Sequence, residues 1–159
     1  MPGFEEIYNT YAPQVFRVCM GYVNDRELAK DMVQDTFISV WKNLHSFRNE
    51  SAISTWIFRI ATNICLRAIE KDEREKNVRL LASFPTADYD KGQDEKLSKL
   101  YTCIAALEEM ERIIISLLLE DLPYLEIAAI VGINEPNLRV KVHRIKQKLA
   151  TKMKAYGQF

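Results

Sequence analysis

Residues 47–67 read FRNESAISTWIFRIATNICLR. Four isoleucines in this stretch recur at i, i+4, i+7 and i+11, namely Ile53, Ile57, Ile60 and Ile64. This spacing places them along one stripe of an α-helix, where the buried face of a surface helix lies. The stretch therefore predicts a long amphipathic helix whose isoleucines pack against the rest of the chain.

A neighbouring face of the same helix carries side chains that suit nucleic acid. Arg59, Asn63 and Arg67 stand at i, i+4 and i+8, and Trp56 lies one turn before Arg59. Cations hold phosphates, an amide reads base edges, and an indole stacks on unpaired bases. An ordinary amphipathic helix with a solvated face and a core tryptophan has the same spacing, so this stretch alone leaves both interpretations open.

The composition of the whole chain favours helices. The 159 residues are 48% hydrophobic and include only five Gly and five Pro. That apolar fraction suffices for one packed domain or two small ones, and so few turn formers argue against a β protein. No apolar run approaches the roughly 20 residues of a membrane span, and the opening segment Met-Pro-Gly-Phe-Glu-Glu lacks signal-peptide features. We therefore expect a cytoplasmic protein with no membrane insertion.

Metal-binding and catalytic patterns are not found in the sequence. Cys19, Cys65 and Cys103 form no Cys-x-x-Cys pair and are expected to be small buried groups, and two isolated histidines do not suggest a metal site. The chain has no Gly-rich phosphate loop and no nucleophile elbow, and the paired acids Asp31 and Asp35 lack a third catalytic group. We therefore expect no enzymatic activity, no cofactor, no metal and no small-molecule substrate.

The charge of the chain is balanced overall but unevenly distributed. Lys and Arg equal Asp and Glu in number, which taken alone argues against a nucleic-acid binder. Residues 88–126, however, hold ten acidic and four basic side chains, whereas residues 135–154 hold seven basic and one acidic. A locally basic helix on a neutral protein indicates a surface that binds phosphates.

Apolar periodicity predicts two helices before the quoted stretch. The first runs from Phe4 to Tyr22, with a bend or break expected at Pro13. The second is expected to open with a capping box formed by Asn24 and Glu27.

The second helix has an apolar and an acidic side. Its broad apolar face includes Trp41, while Asp31, Gln34 and Asp35 share the other side at i, i+3 and i+4. Two neighbouring carboxylates on a helix repel each other slightly unless cations lie close to them. They are either solvated or in contact with a basic surface of a partner.

Periodicity fails between residues 77 and 93, where Ser, Pro, Asp and Gly are frequent, and it resumes near residue 97. The predicted fold is therefore all-α, with two small helical domains of three and four helices joined by a flexible linker. The predicted bounds are 1–76 for the first domain, 77–95 for the linker and 96–159 for the second domain.

The second domain ends in a predicted helix-turn-helix. A short helix from residue 124 closes at Gly132, Asn134 caps the next helix, and Pro136 suits its first turn. That helix buries a stripe at i, i+4, i+7 and i+11 that begins at Leu138. Short helix, Gly turn and longer basic helix is the arrangement that places a helix in the major groove. A helical hairpin with a solvated lysine-rich face is the alternative.

The outward side of the basic helix supplies the candidate DNA contacts. Arg139 or Arg144 can bind guanine O6 and N7 in bidentate fashion. Lysines suit phosphates better, and Asn137 can also bond a phosphate. The candidates are Asn137, Arg139, Val140, Lys141, His143, Arg144, Lys146 and Lys148.

Three motifs and the helix-turn-helix together resemble one family. The motifs are Asp31-Met-Val-Gln-Asp-Thr-Phe-Ile-Ser-Val-Trp41, Phe47-Arg-Asn-Glu50 and Ser54-Thr-Trp-Ile-Phe-Arg-Ile-Ala-Thr-Asn63. Over nearly the whole chain apart from the linker, the sequence is similar to the extracytoplasmic-function group of sigma-70 RNA polymerase sigma factors. The resemblance implies a three-helix region 2 domain, a four-helix region 4 domain, and a role in promoter recognition and melting.

The resemblance also implies roles for particular residues. Polymerase docking falls to Asp31, Gln34, Asp35 and Phe37. Contacts with the −10 element, including a flipped base, fall to Phe47, Arg48, Asn49, Glu50, Trp56, Arg59, Ile60, Asn63 and Arg67. Contacts with the −35 element fall to the outward residues of the basic helix. Family members commonly have a small residue, Thr and Val where this chain has Pro136-Asn137-Leu138, so its −35 preference is expected to differ.

The implied partners are core RNA polymerase, through its β′ clamp helices and its β flap, promoter DNA, and an anti-sigma factor. A helix-turn-helix regulator that binds duplex operators without polymerase is the competing interpretation. The series from Asp31 to Asn63 separates the two, because an operator binder needs neither a docking helix nor a loop that receives a flipped base.

Overall fold

The computed structural model describes the backbone of residues 2–76 and 95–156, and all their side chains except those of 69–76. The predicted linker therefore lies outside the described residues, apart from Glu95, where a helix begins. Within the described ranges the chain forms seven α-helices and no strand, which confirms the all-α prediction. The helices are α1 (Phe4–Val23), α2 (Arg26–Asn43), α3 (Ile53–Lys76), α4 (Glu95–Ala105), α5 (Glu109–Leu119), α6 (Tyr124–Val131) and α7 (Glu135–Ala155).

Helix α1 continues through Pro13, so the predicted break does not occur. The Pro13 side chain is exposed, and its missing N–H removes one hydrogen bond of the helix. Val15, Val18 and Cys19 on the opposite side are fully buried. The core contacts of that side hold the helix together across the proline.

The junction between α1 and α2 differs from the predicted capping box. Asn24 ends α1 in the left-handed conformation, with φ of 48°. Asp25 caps α2 instead, where its carboxylate accepts a hydrogen bond of 3.1 Å from the Leu28 N–H. Asn tolerates the left-handed conformation better than most residues, which explains why it closes one helix rather than opening the next.

The buried face of α3 is centred slightly to one side of the predicted isoleucine stripe. Ile57, Phe58, Ala61 and Cys65 are fully buried, whereas the other three isoleucines of the stripe, Ile53, Ile60 and Ile64, are only partly buried. The Cys65 thiol lies 4.0 Å from the Cys19 thiol in α1. The hydrogen bond to Cys19 and burial raise the pKa of Cys65, so this thiol stays protonated inside the core.

The helix-turn-helix forms as predicted from α6 and α7. Gly132 adopts a left-handed φ of 78° between them, and the Asn134 side chain accepts a hydrogen bond of 2.9 Å from the Asn137 N–H. Leu138, Val142, Ile145 and Leu149 are buried. The stripe of α7 therefore packs against the rest of the second domain and turns the basic side outward.

The two groups of helices pack against each other, with α1 against α4 and α5 and with α3 against α6. The Arg17 guanidinium donates two hydrogen bonds, of 2.6 and 2.8 Å, to the Glu120 carboxylate. Arg112 lies over the Tyr22 ring at 4.9 Å from its centroid. These contacts join α1 of the first domain to the second domain.

Gly21 allows the closest approach between α1 and α5. A Cβ atom at this position would lie 2.0 Å from Ser116 Oγ and 3.0 Å from Ser116 Cβ. Rotation of the serine hydroxyl relieves only the first overlap. The absence of a side chain at Gly21 is therefore a condition for the packing of the two domains.

We predict that Gly21→Ala lowers the free energy of unfolding by about 1–2 kcal/mol, because overpacking outweighs the better helix propensity of alanine. Chemical denaturation monitored by circular dichroism measures this change. The control is Gly3→Ala, whose added Cβ meets no atom within 4 Å. Equal stability of Gly21→Ala and the parent chain would show that α1 and α5 can shift apart without loss.

Candidate nucleic-acid interface

The acidic side of α2 is open to solvent. Asp31, Gln34 and Asp35 are all exposed, on the helix that Asp25 caps. Phe37, the fourth residue to which the family resemblance assigns polymerase docking, is only 3% exposed. Its ring packs edge-on against the rings of Phe4 and Tyr8. The structure thus brings the three polar side chains together on the surface and packs the phenylalanine against α1.

An apolar groove adjoins this acidic side. It lies between α1 and α2, has a volume of about 940 Å³, and is lined by aromatic and aliphatic side chains that include Phe37. Trp41 is 65% exposed and Ile38 is 45% exposed at its edge. Trp41, predicted to lie on the apolar face of α2, is therefore exposed at the groove instead of packed in the core. Asp35, Ile38 and Trp41 follow one another at intervals of three residues, which places the indole beside the acidic side of the helix.

Three cations line the groove, namely Arg26, Lys30 and Lys42. Arg26 lies 5.9 Å from the centroid of the Phe16 ring, and Lys30 is 3.4 Å from Glu27. The groove therefore offers an apolar floor, basic side chains, and carboxylates on the adjoining helix face. Such a surface suits an amphipathic helix that carries both signs of charge.

The loop before α3 forms a second surface. The Phe47 and Trp56 rings lie 4.9 Å apart between centroids, tilted by 32°. Asn49 has a left-handed φ of 57°. A small cavity of about 650 Å³ opens here, with Asn49 and Glu50 among the residues that line it. Arg48, next to Asn49, is exposed. The loop thus combines an aromatic wall with polar groups, as a site for a single unstacked base requires.

The exposed strip of α3 continues from this cavity. Arg59, Asn63 and Arg67 are exposed, while Trp56 and Ile60 are half-buried. Trp56 packs against the hydrophobic core with part of its surface and leaves the rest open to solvent. The strip presents the cations and the amide to the outside along three turns of helix.

Part of this strip is in contact with α6 of the second domain. Arg59 donates a hydrogen bond of 3.2 Å to the carbonyl oxygen of Ala129. The Glu126 carboxylate accepts hydrogen bonds from the hydroxyls of Ser54, at 2.5 Å, and Thr55, at 3.0 Å. We call these three hydrogen bonds the α3–α6 contact. Sequence reasoning did not identify Glu126, because nothing in the periodicity of either helix signals a pairing across some seventy residues.

The third surface is the outward side of α7, which carries all eight predicted −35 residues. Asn137, Val140, Lys141, His143 and Lys146 are exposed there. The Asn137 backbone N–H is engaged by the cap, which leaves its side chain available.

Two arginines on this surface differ in their surroundings. Arg139 donates a hydrogen bond of 2.6 Å to the Glu135 carboxylate and lies 4.6 Å from the centroid of the Tyr124 ring. Arg144 is exposed, and in the described parts of the chain it forms no hydrogen bond or ion pair. The i, i+4 spacing of Glu135 and Arg139 is visible in the sequence, whereas the contribution of Tyr124 from α6 is not.

Lys148, at the far end of the surface, pairs with an acid of its own domain. Its ammonium group lies 2.8 Å from the Glu111 carboxylate. The hydrogen bond that Lys148 donates to the Glu111 carboxylate raises the pKa of Lys148. Burial opposes ionisation of Glu111, but the hydrogen bonds from Lys148 and from the Glu108 backbone outweigh it and leave the pKa of Glu111 below its usual value. A phosphate that binds Lys148 must compete with this pair.

Residues 2–68 and 95–156, whose side chains the structure describes, contain no group of three or more His, Cys, Asp or Glu side chains that could hold a metal ion. None of the helices within the described ranges is long and apolar enough to cross a membrane.

Comparisons with known families match both halves of the chain. Residues 7–75 match Sigma-70 region 2, and residues 97–149 match Sigma-70, region 4. The chain is 27% identical over 150 residues to the ECF RNA polymerase sigma factor SigM of Bacillus subtilis, with 91% of each chain covered. It is 25% identical over 160 residues to the RNA polymerase sigma factor YlaC of the same organism, with 95% and 92% covered. It spans 61% of the ECF RNA polymerase sigma factor SigE of Mycolicibacterium smegmatis, at 27% identity.

Two solved structures share the fold. The sigma factor RpoE in complex with the anti-sigma factor NepR, from Bartonella quintana, has a TM-score of 0.83 and 21% identity, with 95% of this chain and 96% of that chain covered. CnrH in complex with the cytosolic domain of CnrY has a TM-score of 0.72 and 20% identity, with 96% and 88% covered. At these identities the likeness concerns the fold alone.

Proposed function

Because the chain belongs to the extracytoplasmic-function group of sigma-70 RNA polymerase sigma factors, we propose that it binds core polymerase and directs it to promoters, which it recognises and helps to melt. The observation that carries this proposal is the presence of both sigma regions, each with an exposed surface of the required chemistry. The protein acts in the cytoplasm, without catalytic activity of its own, and the polymerase supplies the chemistry.

The first domain docks on the polymerase through α2 and the adjoining groove. Asp31, Gln34 and Asp35 offer acceptors to basic side chains, while Trp41 and Ile38 offer an apolar edge. An exposed indole beside carboxylates is a frequent anchor in protein interfaces. We assign the β′ clamp helices to this surface, with Phe37 supporting it from below.

The loop before α3 and the exposed strip of α3 contact the −10 element. The cavity beside Phe47 and Trp56 receives a base that has left the stack, since an aromatic wall replaces the lost stacking and polar groups meet the base edges. Arg59, Asn63 and Arg67 follow the melted strand and bind its phosphates and bases.

The second domain reads the −35 element in the duplex with the outward side of α7. Arg139 and Arg144 reach toward base edges, while Lys141 and Lys146 bind phosphates. The other surface of this domain meets the β flap.

Promoter binding separates the two domains at the α3–α6 contact. Arg59 contacts DNA fully only after it leaves the Ala129 carbonyl, and Glu126 places a negative charge beside the strip that binds phosphates. An anti-sigma factor is the expected regulator, as the complex of RpoE with the anti-sigma factor NepR suggests, and it would act by favouring the closed arrangement.

A helix-turn-helix regulator that binds operators without polymerase is the second candidate function. It accounts for α7 but assigns no role to the groove or to the loop before α3. The match of residues 7–75 to region 2 disfavours it.

The function is tested by transcription in vitro with core polymerase on a randomised promoter library. We expect transcripts that depend on the added protein and that select two conserved elements separated by a spacer. Duplex binding by the protein together with polymerase-independent selection of a single element would support the operator-binding regulator instead.

Docking is tested by Asp35→Arg, which we expect to reduce retention of core polymerase on the immobilised protein at least ten-fold, because it reverses a charge at the docking surface. The matched control is Glu6→Arg, the same charge reversal at an exposed position of α1 that does not line the groove. Equal retention by both variants would remove Asp35 from the docking surface.

The α3–α6 contact is tested by Glu126→Ala, which removes the acceptor for both hydroxyls. Fluorescence energy transfer between labels on α2 and α7 should report a larger mean distance between the domains, and open complexes should form faster. Glu95→Ala, which removes an exposed carboxylate elsewhere in the second domain, serves as the control. No change in distance would show that other contacts hold the domains together.

A further inference from the structure

The surroundings of Arg139 distinguish it from every other cation on the outward side of α7. The side chain is held from two directions, by the carboxylate of Glu135 one turn earlier and by the Tyr124 ring of α6. Tyr124 itself is partly buried against the core, so its ring has a fixed place. The guanidinium nevertheless remains exposed to solvent, with 58% of the side-chain surface accessible.

We propose that Tyr124 and Glu135 are positioning residues that hold Arg139 in the orientation in which it reads a guanine of the −35 element. The proposal rests on the proposed function, since it requires that α7 enters the major groove. It goes beyond that function by assigning sequence selectivity to two residues that do not themselves contact the base.

Positioning matters because a free arginine has many ways to bind DNA. Its side chain has high rotamer entropy and can turn to a phosphate as easily as to a base, so it adds affinity without selectivity. A ring against one face of the guanidinium and a carboxylate at one nitrogen remove most of these alternatives. Ordering before binding also lowers the entropy that must be lost in the complex.

The donors that remain are sufficient for base recognition. The guanidinium carries five N–H groups, and the bond to Glu135 uses one on Nη2. The remaining N–H groups include two on neighbouring nitrogens, which can donate to O6 and N7 of one guanine at the same time. The Glu135 carboxylate also disfavours a phosphate at the same place, because like charges repel.

Arg144 provides the comparison within the same helix. It is exposed on α7 but, within the described residues, has neither an aromatic nor an acidic partner. We therefore assign strong guanine selectivity to Arg139 and a weaker, less selective role to Arg144.

The experiment measures binding of the reconstituted holoenzyme to promoters that carry each of the four base pairs at every −35 position. Arg139→Ala should lower the preference for G·C at one position about ten-fold. At that same position, Tyr124→Leu should lower the preference about three-fold, while Tyr124→Phe, which keeps the ring, should retain it. Thermal melting checks that Tyr124→Leu is folded.

Glu135→Gln, a change at the surface, gives an independent measurement. We expect it to lower the G·C preference at the Arg139 position while raising overall affinity, because a charge that repels phosphates is lost. Lys146→Ala should weaken binding to all sequences equally and leave the preference unchanged, as expected for a phosphate contact.

Two results would overturn the proposal. If Tyr124→Leu and Glu135→Gln both keep the full preference, Arg139 reads its base without their help. If Glu135→Gln raises both affinity and preference, Glu135 restrains Arg139 rather than orienting it. Failure of the parent holoenzyme to bind any promoter would instead reject the proposed function, so the two failures are distinguishable.

Discussion

The Glu126 carboxylate joins the two domains where α6 meets α3. It accepts hydrogen bonds from two hydroxyls in the first turn of α3, and the Ala129 carbonyl beside it accepts from Arg59. The helix that is proposed to follow the melted strand is therefore held by the first helix of the helix-turn-helix. In the proposed function, this small group of polar contacts governs the accessibility of the −10 surface and the position of the −35 surface.

The interface between the domains has the character of a contact that can open. Besides its ion pair and hydrogen bonds, it contains buried polar atoms, Ser116 Oγ and Arg112 Nε, that have no hydrogen-bond partner among the described residues. A buried polar group without a partner costs about 1–3 kcal/mol, and it regains its hydrogen bonds when water enters. These atoms offset part of the favourable packing around Gly21. The α7 stripe, by contrast, is wholly apolar, as befits a core that does not open.

Periodic features of the fold were predictable from the sequence, and pairings between distant segments were not. The buried stripe of α7, the Asn134 cap and the Gly132 turn follow from spacing and from local backbone chemistry, so they could be found from residues close in the chain. The cap of α2 was misassigned to Asn24, because Asn24 and Asp25 are both good caps and only the end of α1 decides between them. The apolar character of Trp41 fits a core and an interface equally well, so only its spacing from Asp35 and Ile38 could have indicated its exposure. The contacts of Glu126 and Tyr124 depend on how two helices pack, which no local pattern encodes.

Helix α1 serves two surfaces with separate parts of its length. Phe4, Tyr8 and Phe16 line the groove beside α2, whereas Arg17 and Tyr22 contact the second domain. None of these five side chains belongs to both the groove and the domain interface. A partner can therefore bind in the groove while the two domains remain in contact. In the proposed function, polymerase docking on the groove therefore does not by itself require the domains to separate. The α3–α6 contact, in turn, can break without disturbing the groove, because neither Glu126 nor Arg59 lines it. In the proposed function, the step that opens the protein is then the arrival of promoter DNA at α3 and α7, where Arg59 exchanges a backbone carbonyl for the melted strand.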